Sequence, residues 1–168
     1  KNKIDGNYDK KILTEEKVGE FFKSNQNISG INVTIPFKKT VLNYCTELTE
    51  LALNSQSVNT ITLSNEKIIG DNTDIYGFEQ SLKDLNFDGL NKTAYILGAG
   101  GVVSSVVIAL NNLGVKNIFI SNRTKNKAEA LAKEYNLAVS EWGKVVNFDI
   151  VINCTSIGLK SNDNLGLD

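Results

Sequence analysis

The chain has 168 residues, 41% hydrophobic and 22% charged, which is ordinary globular usage and enough to bury a core. A formal net charge of −1, with lysines and acids mixed along the sequence, offers no sustained basic face to a nucleic-acid backbone. No apolar run approaches the roughly 20 residues that span a bilayer, and Lys1-Asn2-Lys3-Ile4-Asp5 does not open a signal peptide, so the expectation is a soluble, cytoplasmic protein with no membrane or nucleic-acid partner. There is no histidine, which removes histidine general bases, serine–histidine couples and the usual zinc sites. Cys45 and Cys154 are far apart in apolar surroundings, which suits buried thiols rather than a disulfide, and no metal is expected. The lack of any methionine reads as a trimmed or excerpted chain.

In chain order, Glu15 to Lys23 has helical spacing of Val18, Phe21 and Phe22, ending before the polar run Ser24-Asn25-Gln26-Asn27. Gly30 to Ile35 reads as a strand stopped by Pro36. Lys39 to Leu53 reads as one helix with Val41, Leu42, Cys45, Leu48 and Leu51 on one side. Val58 to Leu63 and Lys67 to Ile69 read as a hairpin around Ser64-Asn65-Glu66. After Asp71-Asn72-Thr73-Asp74 the texture changes. A helix over Tyr76 to Leu85 leads into alternating strands (93–97, 117–121, 148–153) and helices (102–113, 126–135), the pattern of a parallel sheet. The expected organisation is two α/β domains, 1–74 followed by 75–168, the second a Rossmann-like doubly wound sheet that is incomplete here.

Tyr95-Ile96-Leu97-Gly98-Ala99-Gly100-Gly101-Val102 passes from strand to helix through a glycine-rich turn. Gly98 permits the tight turn, Gly100 lets the backbone approach a pyrophosphate, and the following helix N-terminus offers unpaired N–H groups. The third small position of the dinucleotide fingerprint is Val103. About 20 residues on, where an NAD site presents an acid to the ribose, this chain has Ser121-Asn122-Arg123-Thr124 with Lys127 beyond. Arg123 can grip a 2′-phosphate in a fork and Lys127 can add charge, which points to NADP(H). The same residues also fit a solvated strand end with Thr124 capping a helix.

Two polar groups stand out earlier. Period-two alternation sets Asn32 and Thr34 opposite Val33 and Ile35, with Lys38 in the turn after Pro36; an isolated lysine there also fits a surface residue opening a helix. Gly70-Asp71-Asn72-Thr73-Asp74 fits a polar turn with Asp71 or Thr73 as helix cap, and lacks the glutamate of a calcium loop.

Together these segments resemble the shikimate dehydrogenase family. Its Asn-Val-Thr-x-Pro-x-Lys is similar to Asn32 to Lys38, its Val-Asn-Thr to Val58-Asn59-Thr60, and its Asn-Thr-Asp-x-x-Gly to Asn72 to Gly77. Gly98 to Gly101 resembles its Gly-Ala-Gly-Gly, Asn122-Arg123-Thr124 its NADP clamp, and Asn153 to Gly158 its later Asn-Ala-Thr-x-x-Gly. The resemblance implies Lys38 and Asp74 as the catalytic pair, with Thr34, Asn59 and Asn32 holding substrate hydroxyls. It also implies Gly98, Ala99, Gly100, Gly101, Val102, Asn122, Arg123, Thr124 and Lys127 at the cofactor, with Glu50 near it and Thr155 at its nicotinamide end.

The implied activity is NADP-dependent reduction of 3-dehydroshikimate to shikimate in aromatic amino-acid biosynthesis, by a monomer or homodimer. A quinate/shikimate dehydrogenase of broader specificity and a non-catalytic nucleotide-binding module are the alternatives. The family's Ser-x-Ser-Pro segment and C-terminal helices have no counterpart within residues 1–168. Val102-Val103-Ser104 and Gln56-Ser57 depart from the family's usual residues at those places.

Overall fold

The computed structural model describes residues 5–24, 27–64, 67–158 and 163–165. It contains two sheets joined by one helix, each sheet with its own apolar core.

The first sheet is built from β1 (Gly30–Asn32), β2 (Glu47–Leu48), β3 (Thr60–Ser64) and β4 (Lys67–Asp71), in the order β1-β3-β4-β2. β3 is antiparallel to β1 and β4, whereas β2 runs parallel to β4. Ser64 pairs with Lys67, so β3 and β4 form the expected hairpin; its turn residues 65 and 66, like residues 25 and 26 of the earlier polar run, lie outside the described residues. Helix α1 (Glu15–Ser24) carries acids in its first turn and Lys23 in its last, the arrangement a helix dipole favours. It inserts Val18 into the core with Val41, Ala52, Val58 and Ile61, and stacks Phe22 on Tyr44 at a ring separation of 5.2 Å.

Two expected elements differ in this half. The strand expected over Gly30 to Ile35 ends at Asn32. Val33 still donates its N–H to the Asn59 carbonyl at 2.7 Å, but the Thr34 carbonyl then accepts Phe37 N–H at 3.0 Å, closing a turn around a cis Ile35–Pro36 peptide. Ile35 is therefore exposed rather than packed beside Val33. The helix expected over Lys39 to Leu53 is broken into a 3-10 turn (Thr40–Tyr44), β2 and a short helix α2 (Glu50–Ser55). Thr46 makes three hydrogen bonds with the Ile68 backbone, and Glu47 and Leu48 pair with Ile69 and Gly70. That ladder overrides the local helical period. Thr49 then caps α2, accepting from Ala52 N–H at 3.2 Å.

Helix α3 (Thr73–Asp84) leaves the end of β4 and carries Leu82 into the second core. It starts three residues earlier than Tyr76, and its cap is Asn72 rather than Asp71 or Thr73. Asp71 instead accepts from the Thr49 hydroxyl at 2.6 Å and from Asn72 N–H at 2.8 Å.

The second sheet comprises β5 (Thr93–Leu97), β6 (Asn117–Ser121), β7 (Ala138–Val139) and β8 (Ile150–Asn153), all parallel. Helix α4 (Val103–Asn112) joins β5 to β6, and α5 (Lys125–Tyr135) joins β6 to β7. Strands β5 and β6 match the expected bounds, whereas the two-residue β7 escapes the sequence pattern. Ala94 to Leu97 are buried, as a central parallel strand requires, and Ala94 and Ile96 pack with Val103, Val107 and Leu110 of α4. Burying each such aliphatic side chain contributes about 2 kcal/mol. The order β7-β6-β5-β8 makes the winding direction reverse between β5 and β8. In open α/β sheets, ligands bind in the crevice at the carboxyl ends of strands at such a reversal.

Candidate active site

Lys38, Asn59 and Asp74 come from three separate places in the sequence and meet beside the first sheet. Lys38 follows the Pro36 turn, and its carbonyl accepts Val58 N–H at 2.8 Å. Asn59 is pinned by its backbone on both sides, through Val33 N–H to its carbonyl at 2.7 Å and its own N–H to the Asp71 carbonyl at 3.0 Å. Asp74 sits in the first turn of α3, where its N–H donates to the Asn72 side-chain oxygen at 3.1 Å.

The ammonium of Lys38 lies 2.6 Å from Asp74 Oδ2, and Asn59 Nδ2 donates to Asp74 Oδ1 at 2.7 Å. Both oxygens of one carboxylate are thus held. The side chains of Lys38 and Asp74 retain 19% and 30% exposure, so the pair is shielded from bulk water yet reachable by a small molecule. Asn59 Oδ1 accepts from Thr73 N–H at 2.9 Å and from the Thr60 hydroxyl at 2.9 Å, which fixes the amide's orientation.

Asn32 lies across the ladder from Thr60, next to Asn59, and accepts a 3.3 Å bond from the Tyr8 hydroxyl. Thr34 opens the turn that ends at Phe37, one residue before Lys38; both Asn32 and Thr34 are exposed. The chemical content of this arrangement is an ammonium proton donor, a carboxylate that orients it, and a fringe of polar groups suited to a polyhydroxy compound.

The glycine turn lies at the sheet's reversal point. Gly98 has φ +104°, and a Cβ there would stand 2.8 Å from the Cys154 carbonyl group and 2.9 Å from Thr155 Cγ2, so only glycine fits. Gly98 N–H donates to the Ser121 carbonyl and Cys154 N–H to the Leu97 carbonyl, both at 2.7 Å, drawing the ends of β5, β6 and β8 together. Ala99, Gly100 and Gly101 carry the chain to Val102, the N-cap of α4, where no side chain makes a capping hydrogen bond. Val103 N–H donates to the Gly100 carbonyl at 3.1 Å, and the other first-turn amides of α4 suit an anion. Val103 is fully buried in the core, so the helix packs on the sheet with valine at the third fingerprint position. Thr155 accepts Ile157 N–H at 3.0 Å and donates to Asn153 Oδ1 at 2.7 Å, holding the loop after β8 against Gly98.

Beyond β6, Asn122, Arg123 and Lys125 line a recess of about 220 Å³, faced by Ser140, Glu141 and Trp142. Lys127 is not in that lining, and its backbone N–H closes the first turn of α5 on the Thr124 carbonyl at 3.1 Å. Thr124 occupies the N-cap position of α5 without a side-chain capping bond; Asn122 Nδ2 instead donates to its carbonyl at 2.8 Å. The Lys144 ammonium beside Glu141 holds that carboxyl below its usual range and is itself raised by it.

One family model, described as the shikimate dehydrogenase substrate binding domain, matches residues 1–61. A second, described as shikimate / quinate 5-dehydrogenase, matches residues 81–160. The shikimate dehydrogenase (NADP(+)) of Pelagibacter ubique is 45% identical over 100% of this chain and 64% of its own length.

The chain belongs to the shikimate dehydrogenase family.

It spans a little under two thirds of that relative. Among solved structures, the shikimate 5-dehydrogenase of Thermus thermophilus in complex with NADP(H) and shikimate superposes with a TM-score of 0.80 at 30% identity, over 88% of this chain and 56% of that one. A ligand-free 5-ketofructose reductase of a Gluconobacter strain also gives 0.80, at 32% identity over 90% of this chain and 59% of that one. The Rossmann-like parallel sheet expected from the sequence is therefore the family fold.

Glu50 is exposed in the first turn of α2, directly after the Thr49 cap. Sequence reasoning missed Thr73, which sits inside the Asn-Thr-Asp motif and donates its N–H to Asn59, and it missed Lys125 and Trp142 in the recess. The motif spacing contains Thr73, whereas nothing local marks Lys125 over Lys127. Cys45 and Cys154 are free thiols, and burial pushes Cys154 up to about 11, so it stays protonated at neutral pH. Among the described residues, no cluster of three or more potential ligands can hold a metal ion, and no helix is long and apolar enough to cross a membrane.

Proposed function

We propose that the protein carries out the NADP-dependent interconversion of 3-dehydroshikimate and shikimate, with residues 1–74 serving the substrate and 75–168 the nucleotide. The observation that carries this reading is the Lys38–Asp74 contact of 2.6 Å, with Asn59 on the second carboxylate oxygen.

The residues present fit the cofactor. The end of α4, without a side-chain cap, and the Gly98 to Gly101 turn suit a pyrophosphate, and β6 is followed by Asn122-Arg123 where an NAD site needs an acid. Arg123 and Lys125 would hold the 2′-phosphate, with Asn122 and Thr124 beside it, Lys127 adding longer-range charge, and Thr155 and Glu50 toward the nicotinamide end. When bound, the nicotinamide supplies hydride chemistry that no side chain can perform.

Lys38 gives a proton to the substrate oxygen as a carbonyl becomes a hydroxyl, and takes it back in the other direction. Its positive charge stabilises the developing oxyanion. Asp74 aims the ammonium and accepts from a substrate hydroxyl, while Asn59, Thr34 and Asn32 fix the ring through its other hydroxyls. The protein acts in the cytoplasm as a monomer or homodimer, with no nucleic-acid or membrane partner.

The family model's shikimate / quinate description supports a second reading, a dehydrogenase that also accepts quinate. Initial rates of the whole protein at the NADPH absorbance band, with shikimate or quinate and NADP or NAD, decide between them. Turnover of shikimate with NADP alone is expected; equal rates with quinate establish the broader enzyme, and no turnover with either rejects both.

A further inference from the structure

We propose that Asn72 is a positioning residue that ties Asp74 to the helix behind the glycine turn, holding the Lys38–Asp74 pair and the nucleotide crevice in one fixed relation. The inference rests on the dehydrogenase reading above.

Asn72 is fully buried, and its amide uses one acceptor and both donors. Its Oδ1 accepts Asp74 N–H at 3.1 Å. Its Nδ2 donates to Ser55 Oγ at 2.8 Å and to Ser105 Oγ at 3.0 Å. These partners belong to three helices: Asp74 lies in the first turn of α3, Ser55 ends α2, and Ser105 lies in the first turn of α4. Helix capping needs only the acceptor, which serine, threonine or aspartate would supply as well. Asparagine adds a two-pronged donor, and both prongs are spent on elements other than its own.

The consequences reach both sites. Ser105 lies four residues past Gly101, in the first turn of α4, so α4 cannot shift on pyrophosphate binding without pulling on Asn72. Ser55 is itself anchored, its hydroxyl donating to the Leu51 carbonyl at 2.7 Å. Asp74 is two residues from Asn72, whereas Lys38 hangs from Val58 on the other side of the pair. A displacement of α3 against the first sheet would therefore open the Lys38–Asp74 contact, and the Asn72 fork opposes it. Misplacement of reacting groups by an ångström can cost as much as about 100-fold in rate.

The test uses two mild substitutions in the whole protein. Asn72→Ser keeps a capping oxygen but cannot reach both serines, and Ser105→Ala removes only the α4 partner. Each is expected to lower kcat about 10-fold, while the KM values for shikimate and NADP stay within about twofold, the pattern of a lost transition-state arrangement. The double variant should be no slower than Asn72→Ser alone, because both changes break one bridge. Unchanged kcat in both single variants, even with a lowered melting temperature, overturns the proposal and leaves Asn72 as a helix cap. Multiplied losses in the double variant overturn it too; if the double variant does not fold, the single variants' kcat and KM decide. The unsubstituted protein is assayed alongside: if it fails to oxidise shikimate, the dehydrogenase reading falls and takes this inference with it, whereas an active parent with indifferent variants rejects only the role of Asn72.

Discussion

Asn59 Nδ2 donates to Oδ1 of Asp74 at 2.7 Å, on the opposite side of the carboxylate from Lys38. The carboxylate is thereby locked in plane and rotation, so the ammonium that shares it points in one direction. Asn59→Ala should lower kcat/KM by about 10- to 100-fold, the value of a charge-assisted hydrogen bond. Asn59→Asp should be worse, because it sets a second negative charge against Asp74. Steady-state kinetics with shikimate as the varied substrate measure both.

Gly98 and Gly101 occupy one turn but answer to different constraints. Gly98→Ala meets the Cys154 carbonyl group at 2.8 Å in a positive-φ conformation, and should cost about 2–4 kcal/mol of stability. Gly101→Ala has nothing within 4 Å of the added carbon, and should leave stability within about 0.5 kcal/mol. Thermal or denaturant unfolding of the two variants, side by side, gives the comparison.

Arg123 lines the recess at the end of β6 together with Lys125. Arg123→Gln should raise the KM for NADP by about 10- to 100-fold while changing that for NAD little, because only NADP carries the 2′-phosphate. Lys125→Gln should have a smaller effect of the same kind, and Lys127→Gln a smaller one still. An equal loss with NAD would show that these residues hold something other than the phosphate.

The acid side of the stability profile should involve Glu79. Its carboxyl is lowered from 4.5 chiefly by the hydrogen bond from Lys83, then by that from Asn112 of α4. A folded-state value below the unfolded one means the contribution is fully present above about 4.5 and is lost as pH falls through the folded value. Glu79→Gln should therefore narrow the difference in melting temperature between about pH 6 and about pH 3 relative to the parent. An unchanged difference would contradict this.

The second half of the chain was legible because its signals are local: the strands at 93–97 and 117–121 carry the apolar runs Ala94 to Leu97 and Ile118 to Ile120, and the glycine turn marks its own place. Lys38, Asn59 and Asp74 could be named from their motifs, but their meeting depends on the β1-β3-β4 register and on the Thr34 to Phe37 turn. The break in the helix expected over 39–53 was hidden because Val41, Leu42, Cys45, Leu48 and Leu51 do keep a helical period. What defeats it is pairing of Glu47 and Leu48 with β4, more than 20 positions away. Asn72 was visible as a polar turn residue; its two serine partners lie 17 and 33 positions away, in helices that local sequence does not bring together.

In the proposed reaction Lys38, held at 2.6 Å by Asp74, transfers the proton during NADP-dependent oxidation of shikimate. Turnover of Lys38→Ala in the whole protein, followed at the NADPH absorbance band with shikimate binding measured separately, tests it most directly. The expected kcat is lower by about 100- to 10,000-fold, with shikimate affinity much less affected. Turnover equal to that of the parent would contradict it.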